Sequence, residues 1–379
     1  MGISPWSQAT DGFADLDRDT LACYTKPDEV EKGSTIPLRF KEYEKGTREK
    51  GVSMRTIALE EHFLAQGFRE VLQGHAPSQA GVSNPMMTAE RQSKLADLDT
   101  MRLQDMDMAG IDIQVISDIG SSLVSRPEEE GIKLARGSND QLAAACAAHP
   151  DRFAGFATLP MTKPEAAADE LERAVRSLGL KGAMIFGTTN GQFLDDPAFL
   201  PILERAAALS VPIYLHPAFP PEPVREAYYT NLDPAVGIGL ATFGWGWHSE
   251  VGIHALRLIL AGVFDRLPTL QIIIGHMGEM IPFMLARIHD MLAPLAKQLQ
   301  YPAPEYFLHN FHITSSGFFT DPPLLLTMQV MGADRILFSV DYPFGANEQG
   351  RAFLDHASIS PADKEKISHL NAERLLGLV

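Results

Sequence analysis

Eight short apolar runs, each followed by a helical segment, predict an α/β fold: a (β/α)8 barrel of the TIM type. Two further observations favour a closed barrel over an open, doubly wound sheet. No Gly-x-Gly-x-x-Gly follows any run, so the dinucleotide fingerprint is missing. Groups able to bind a cation recur where the runs end, and a parallel barrel gathers all its strand ends on one face.

The elements follow in order. Residues 1–54 lack a clear period and are expected to be an N-terminal extension, either a solvated segment leading into the fold or, through Ile36-Pro37-Leu38-Arg39-Phe40, docked on the body or on a neighbouring subunit. Residues 55–379 are expected to form a single catalytic barrel. The first strand is read over residues 56–60 and ends in Glu60-Glu61-His62. A long connection rich in Gly, Pro, Ser and Met follows (residues 64–88), in which Met86 and Met87 are candidate pocket residues. A helix over 89–109 is stopped by Gly110. The second strand is 111–116, and a helix from Pro127 to His149 opens on three glutamates that suit its dipole. Strands over 153–159 and 181–186 alternate with helices over 164–178 and 197–209. The fifth strand, 211–215, ends in His216-Pro217 and enters an irregular segment containing Phe243-Gly244-Trp245-Gly246-Trp247. A helix over 249–261 leads to the sixth strand, 270–274, which ends in Gly275-His276-Met277-Gly278-Glu279. A helix over 279–299, a strand over 311–314 and a helix over 324–331 come next. The eighth strand, 336–340, ends in Asp341, and Ser360 and Pro361 start the closing helix.

Composition bounds the function. The 379 residues are 45% hydrophobic and 21% charged, enough for a large core. With 32 basic and 48 acidic residues the net charge is −16, which argues against nucleic-acid or anionic-membrane partners. Two cysteines, Cys23 and Cys146, exclude a disulfide framework, and Cys146 reads as a small core residue in a helix. No apolar run approaches a membrane span and no signal peptide is evident, so a cytoplasmic location is expected.

In such a barrel Glu60, His62, His216, His276 and Asp341 converge. Period-two alternation puts Glu60 and His62 on one face of their strand. Imidazoles and carboxylates around one axis suit one divalent cation, Zn²⁺ or Mn²⁺, and no organic cofactor is expected. Each residue alone has a plainer reading: a solvated strand edge, a turn cap, a core histidine. Phe243, Trp245, Trp247 and Phe344 are candidates for a wall around an aromatic ring. His254 falls inside a helix, where packing is expected, and His248 has no evident role.

Leu59-Glu60-Glu61-His62-Phe63, His216-Pro217, Gly275-His276-Met277-Gly278-Glu279 and Asp341-Tyr342-Pro343-Phe344 resemble the amidohydrolase-superfamily decarboxylases, in the branch acting on γ-resorcylate, 2,3-dihydroxybenzoate and 5-carboxyvanillate. The likeness covers residues 55–379, and its Glu-x-His motif differs from the His-x-His of superfamily hydrolases. The resemblance implies metal ligands Glu60, His62, His216 and Asp341. It places His276 beside the metal, oriented by Glu279, and gives Arg287 a contact with substrate, in some members across a subunit boundary; the plainer readings are a helix-start carboxylate for Glu279 and a surface ion pair for Arg287. Asp341 is the expected proton donor, with His276 positioning substrate or assisting. A homodimer or homotetramer acting on a small aromatic acid is implied. The rival classes are a metal-dependent lactone or amide hydrolase and a non-catalytic binding protein on the same scaffold.

Overall fold

Apolar runs rich in Ile, Val and Leu form eight strands in the computed structural model, which describes residues 54–73, 87–123 and 128–378. They are β1 (Ile57–Phe63), β2 (Ile113–Asp118), β3 (Phe153–Gly155), β4 (Ala183–Phe186), β5 (Ile213–His216), β6 (Ile272–Ile274), β7 (Phe311–Thr314) and β8 (Ile336–Leu337). Every pairing is parallel, in the orders β1-β2-β3 and β4-β5-β6-β7-β8. Single parallel bridges, Ala157 to Ala183 and Leu59 to Ser339, join the two sets at both edges. The ring of eight strands is thereby closed, as the strand count predicts.

Alternation along each strand sorts side chains into two layers. Ile57, Leu59, Val115, Met184, Tyr214, Ile273 and Leu337 share one buried cluster inside the ring. Ala58, Ile116, Ile185, Leu215, Ile272 and Ile274 belong to the larger cluster under the helices. Each buried Leu or Ile contributes roughly 1.5–3 kcal/mol relative to exposure. Ala372 and Leu376 join the inner cluster from the last helix, Asn371–Leu376. That helix covers the end where strands begin and leaves their C-terminal ends free for a site.

Several elements depart from the sequence expectation. The helix over 89–109 is two helices, Ala89–Ala96 and Thr100–Ala109. Asp97 breaks it by using its own polar groups: its carboxylate accepts the Arg102 backbone N–H at 2.7 Å, and its carbonyl accepts Arg102 Nε at 3.0 Å. The connection after β1 begins with a helix, Gln66–Gln73, and the segment after β5 holds two more, Glu222–Tyr228 and Pro234–Ala241. Asp233 caps the last of these with its side chain. The helix after β6 is shorter than expected, Ile281–Leu292, and helices Ala303–Asn310 and Asn347–His356 were not anticipated. The expected extension lies outside the described residues apart from Met54, as do Cys23, Met86 and Pro127.

Cys146 packs half-buried against the core, where burial pushes its thiol up to about 11. His254 is buried and accepts the Leu194 N–H at Nε2, 2.8 Å away; burial lowers it to about 3. Both fit the packing roles read from sequence. Among the described residues no helix is long and apolar enough to cross a membrane.

Candidate active site

The end of β1 is not a plain pleat. Its register shifts between Ala58 and Glu61, and Glu60 has φ 64°. A bulge of this kind re-aims side chains. Glu60 and His62 share the space at the barrel mouth, while the Glu61 carboxylate accepts backbone N–H groups of Val340 (2.8 Å) and Tyr342 (3.0 Å). The His62 N–H donates to the Tyr342 carbonyl at 2.7 Å. These bonds clamp the segment after β8, and so Asp341, against β1. Arg102 braces the clamp from below. Its buried guanidinium donates to the His62 carbonyl at 2.6 Å and to Gln114 at 3.0 Å, and lies 4.8 Å from the Tyr342 ring centroid.

Glu60, His62, His216 and Asp341 present one ligand atom each within 4.8 Å of one another. His62 Nε2 stands 3.2 Å from Asp341 Oδ1, and His216 Nε2 stands 3.1 Å from Glu60 Oε1. Donors held at about 2.0–2.2 Å from a shared cation stand roughly 3 Å apart, so the spacing fits. The outer ring nitrogens are spoken for: His62 Nδ1 pairs with Ser117 Oγ (3.0 Å) and His216 Nδ1 with the Pro217 carbonyl (2.7 Å). Such partners fix the tautomer and aim Nε2 inward. Glu60 Oε1 and His62 Nε2 are buried with no hydrogen-bond partner, an expensive arrangement unless a cation satisfies them. Two oxygen and two imidazole donors suit Mn²⁺ or Zn²⁺.

The other Glu60 oxygen is held by the hydroxyls of Tyr214, Thr314 and Ser316. Gly275 is needed here, because a Cβ on it would lie 2.9 Å from Glu60 Oε2. Burial opposes charge on Glu60, but His276, His216 and His62 outweigh it and hold the carboxyl well below its ordinary range. Burial, then the charge of Glu60, pushes Asp341 well above the ordinary range.

On the facing side His276 Nδ1 pairs with Glu279 Oε1 at 2.7 Å, and its Nε2 is 3.9 Å from Glu60 Oε1. Burial disfavours a charged His276, yet Glu279 and Glu60 outweigh it and raise the imidazole to about 10. Of the ten non-glycine residues with positive φ among the described residues, seven are here: Glu60, His276, Met277, Glu279, Met280, Ser316 and Asp341. Backbone held this way costs on the order of 1–3 kcal/mol per residue and persists where packing enforces it, often at working sites.

Above these groups lies a cavity of about 230 Å³, walled by Phe186, Phe219, Phe243, Trp247, Phe318 and Phe344. Drug-sized sites run to roughly 300–1,000 Å³, so this one suits a single-ring substrate. Phe344, Phe243 and Trp247 stand where an aromatic wall was expected. Trp245 does not: half-exposed, it borders a neighbouring cavity with Met280 and Phe283. The reason is local, since Trp247 and His248 lie in the first turn of helix Gly246–Leu260, which Trp245 only precedes. Arg287 is exposed on helix Ile281–Leu292 and does not line the cavity of its own chain. Glu279 is more than a helix-start carboxylate, because it binds two imidazoles, His276 and His248. The sequence offered no signal for His248. Tyr214 was findable, because it sits two residues before His216 and therefore on the same strand face.

The Amidohydrolase family model matches residues 61–378. The γ-resorcylate decarboxylase of Rhizobium sp. (strain MTP-10005) is 38% identical over 336 residues, covering 85% of this chain and 98% of that protein. A crystal structure of 2,6-dihydroxybenzoate decarboxylase complexed with 2,6-dihydroxybenzoate superposes with a TM-score of 0.73 at 35% identity, covering 86% and 99% of the two chains. The dihydroxybenzoic acid decarboxylase of Polaromonas sp. JS666, solved with bound manganese and the inhibitor 2-nitroresorcinol, gives 0.74 at 36% identity, covering 86% and 97%. The closed barrel, the ligand geometry at its mouth and a match over most of its length place this chain in the amidohydrolase family.

Proposed function

We propose that the protein is a metal-dependent, non-oxidative decarboxylase of a hydroxylated aromatic acid of the dihydroxybenzoate type, a carbon–carbon lyase. The observation that carries this reading is the Glu60, His62, His216 and Asp341 group at the floor of a one-ring aromatic cavity, with the His276–Glu279 pair facing it. The decarboxylases named above are matched over 97–99% of their own length and 85–86% of this chain, and include a manganese complex and a substrate complex. They do not favour the hydrolase alternative.

Glu60, His62, His216 and Asp341 would hold one Mn²⁺ or Zn²⁺, which when bound would supply Lewis acidity to stabilise negative charge on the substrate's oxygens. The rest falls to the chain's own groups. The aromatic wall fixes the ring plane and excludes water. Asp341 delivers a proton to the ring carbon bearing the carboxylate. The carbon–carbon bond then breaks, its electron pair returns to the ring, and CO2 leaves. His276, held by Glu279, positions the substrate or assists the transfer. Manganese- and zinc-loaded protein is expected to release CO2 from 2,6- or 2,3-dihydroxybenzoate. Hydrolysis of an aryl lactone with no CO2 from any hydroxybenzoate would overturn the reading.

The same reading includes a homo-oligomer. Helix Ile281–Leu292 and the turn after it expose Phe283 (74%), Met284, Met291 and Leu295 (75%), with Arg287 among them. Isolated exposed apolar residues are ordinary, but several on one helix face mark an interface. A second copy seated there would bring Arg287 toward a neighbouring cavity. Sedimentation is expected to show a dimer or tetramer that Phe283→Glu dissociates. Arg287→Ala is expected to raise KM about 10- to 100-fold, the worth of a hydrogen bond to a charged group, with kcat less affected. An unchanged KM removes Arg287 from the substrate site.

A further inference from the structure

Glu279 is buried, and each of its oxygens holds a different imidazole: Oε1 takes His276 Nδ1 and Oε2 takes His248 Nδ1, both at 2.7 Å. The far nitrogen of His248 donates to the Phe243 carbonyl at 3.2 Å. The His248 ring meets His276 edge-on at 4.6 Å and Phe318 at 5.5 Å. These nitrogen–oxygen distances are those of hydrogen bonds, and both Nδ1 atoms are already used. The group is therefore a hydrogen-bonded chain and not a second cation site.

We infer that His248 is a positioning residue for the decarboxylation, acting through Glu279 on His276; this rests on the proposed function. The argument is one of constraint. A carboxylate with one occupied oxygen can turn about its last torsion, and a terminal sp³–sp² torsion of this kind is broad. Filling both oxygens removes that freedom. His276 Nδ1 is then fixed, and so is the direction of its Nε2, which stands 3.9 Å from Glu60 Oε1. Burying an acceptor without its donor costs about 1–3 kcal/mol, so loss of His248 drives Glu279 to seek another partner. His248 also follows Trp247 directly and bonds the Phe243 carbonyl, so one side chain links the aromatic wall to the imidazole beside the ligands.

The test uses two variants of full-length, metal-loaded protein. His248→Phe keeps a ring against Phe318 but removes both donors. His248→Asn keeps an amide N–H near the place of Nδ1. His248→Phe is expected to lower kcat about 10- to 100-fold with KM within about threefold, as when a supporting partner of an active group is lost, and His248→Asn to recover most of that kcat. Equal kcat losses in the two variants, no loss in His248→Phe, or an effect on KM alone would overturn the inference. If the wild-type protein releases no CO2 from any hydroxybenzoate, the decarboxylase reading fails first. The crystal structure of His248→Phe then decides separately: Glu279 turned away from His276 Nδ1 supports the constraint, and a retained 2.7 Å contact removes it.

Discussion

Asp341→Asn is expected to lower turnover by about 10²–10⁴-fold, the range for loss of a positioned proton donor, while substrate affinity changes by no more than about threefold. The substitution isolates the proton. An amide oxygen can occupy the place of Oδ1, 3.2 Å from His62 Nε2, so an oxygen ligand is retained. The backbone tolerates the change as well. Asp341 has φ 68°, a region that Asn visits as readily as Asp, so no new strain arises. The clamp that seats Asp341 uses backbone groups of Val340 and Tyr342, which the change leaves alone. What disappears is a group able to hand a proton to carbon. CO2 release, ligand titration and metal content of the same preparation separate the effects. Undiminished turnover in the metal-loaded variant would move the donor role elsewhere, with His276 the next group on the cavity wall.

The barrel was legible because its signal is spread over the chain. Ile272-Ile273-Ile274 or Ala183–Phe186 are short apolar runs between breakers, and eight such runs leave few topologies. The positions of Glu60, His62, His216 and Asp341 were legible for the same reason, since strand ends in a barrel meet. How they meet was not. Simple alternation puts Glu60 and His62 on one face, yet β1 brings them together through a bulge with Glu60 at positive φ. The Glu61 clamp on Val340 and Tyr342 that enforces this bulge joins residues 279 and 281 positions apart in the chain. His248 was opaque for another reason. Its partner Glu279 lies 31 residues away on a backbone turn of consecutive positive-φ residues, which no helix or strand period announces. Arg102 reads as a polar residue on a helix and is instead fully buried under the His62 carbonyl. In each case the deciding contact is tertiary, and local pattern carries no trace of it.

Glu60→Ala is expected to abolish stoichiometric metal binding and, with it, activity, while the fold survives. Two opposing effects set the outcome. Removing a fully buried carboxylate relieves its desolvation, which favours the variant. Against this, the Tyr214, Thr314 and Ser316 hydroxyls lose their shared acceptor, at about 1–3 kcal/mol for each donor left unsatisfied. Tyr214, Thr314 and Ser316 also bond one another, so part of this loss is recovered. The net change in stability is therefore small beside the effect on the ligand set, which loses one of its two carboxyl members. The remaining pair, His62 and His216, with Asp341 alone for charge, leaves a cation short of both charge and donors. A thermal melt reads this directly. A ligand at 100 times its Kd stabilises the native state by about 2.7 kcal/mol, so added Mn²⁺ or Zn²⁺ should raise the Tm of the wild-type protein and leave that of Glu60→Ala unmoved. Glu60→Gln is the control for packing, since it keeps an acceptor for the three hydroxyls and removes only the charge. A full equivalent of tightly bound metal in Glu60→Ala would show that Glu60 stands outside the coordination sphere, and the bulge in β1 would then need another explanation.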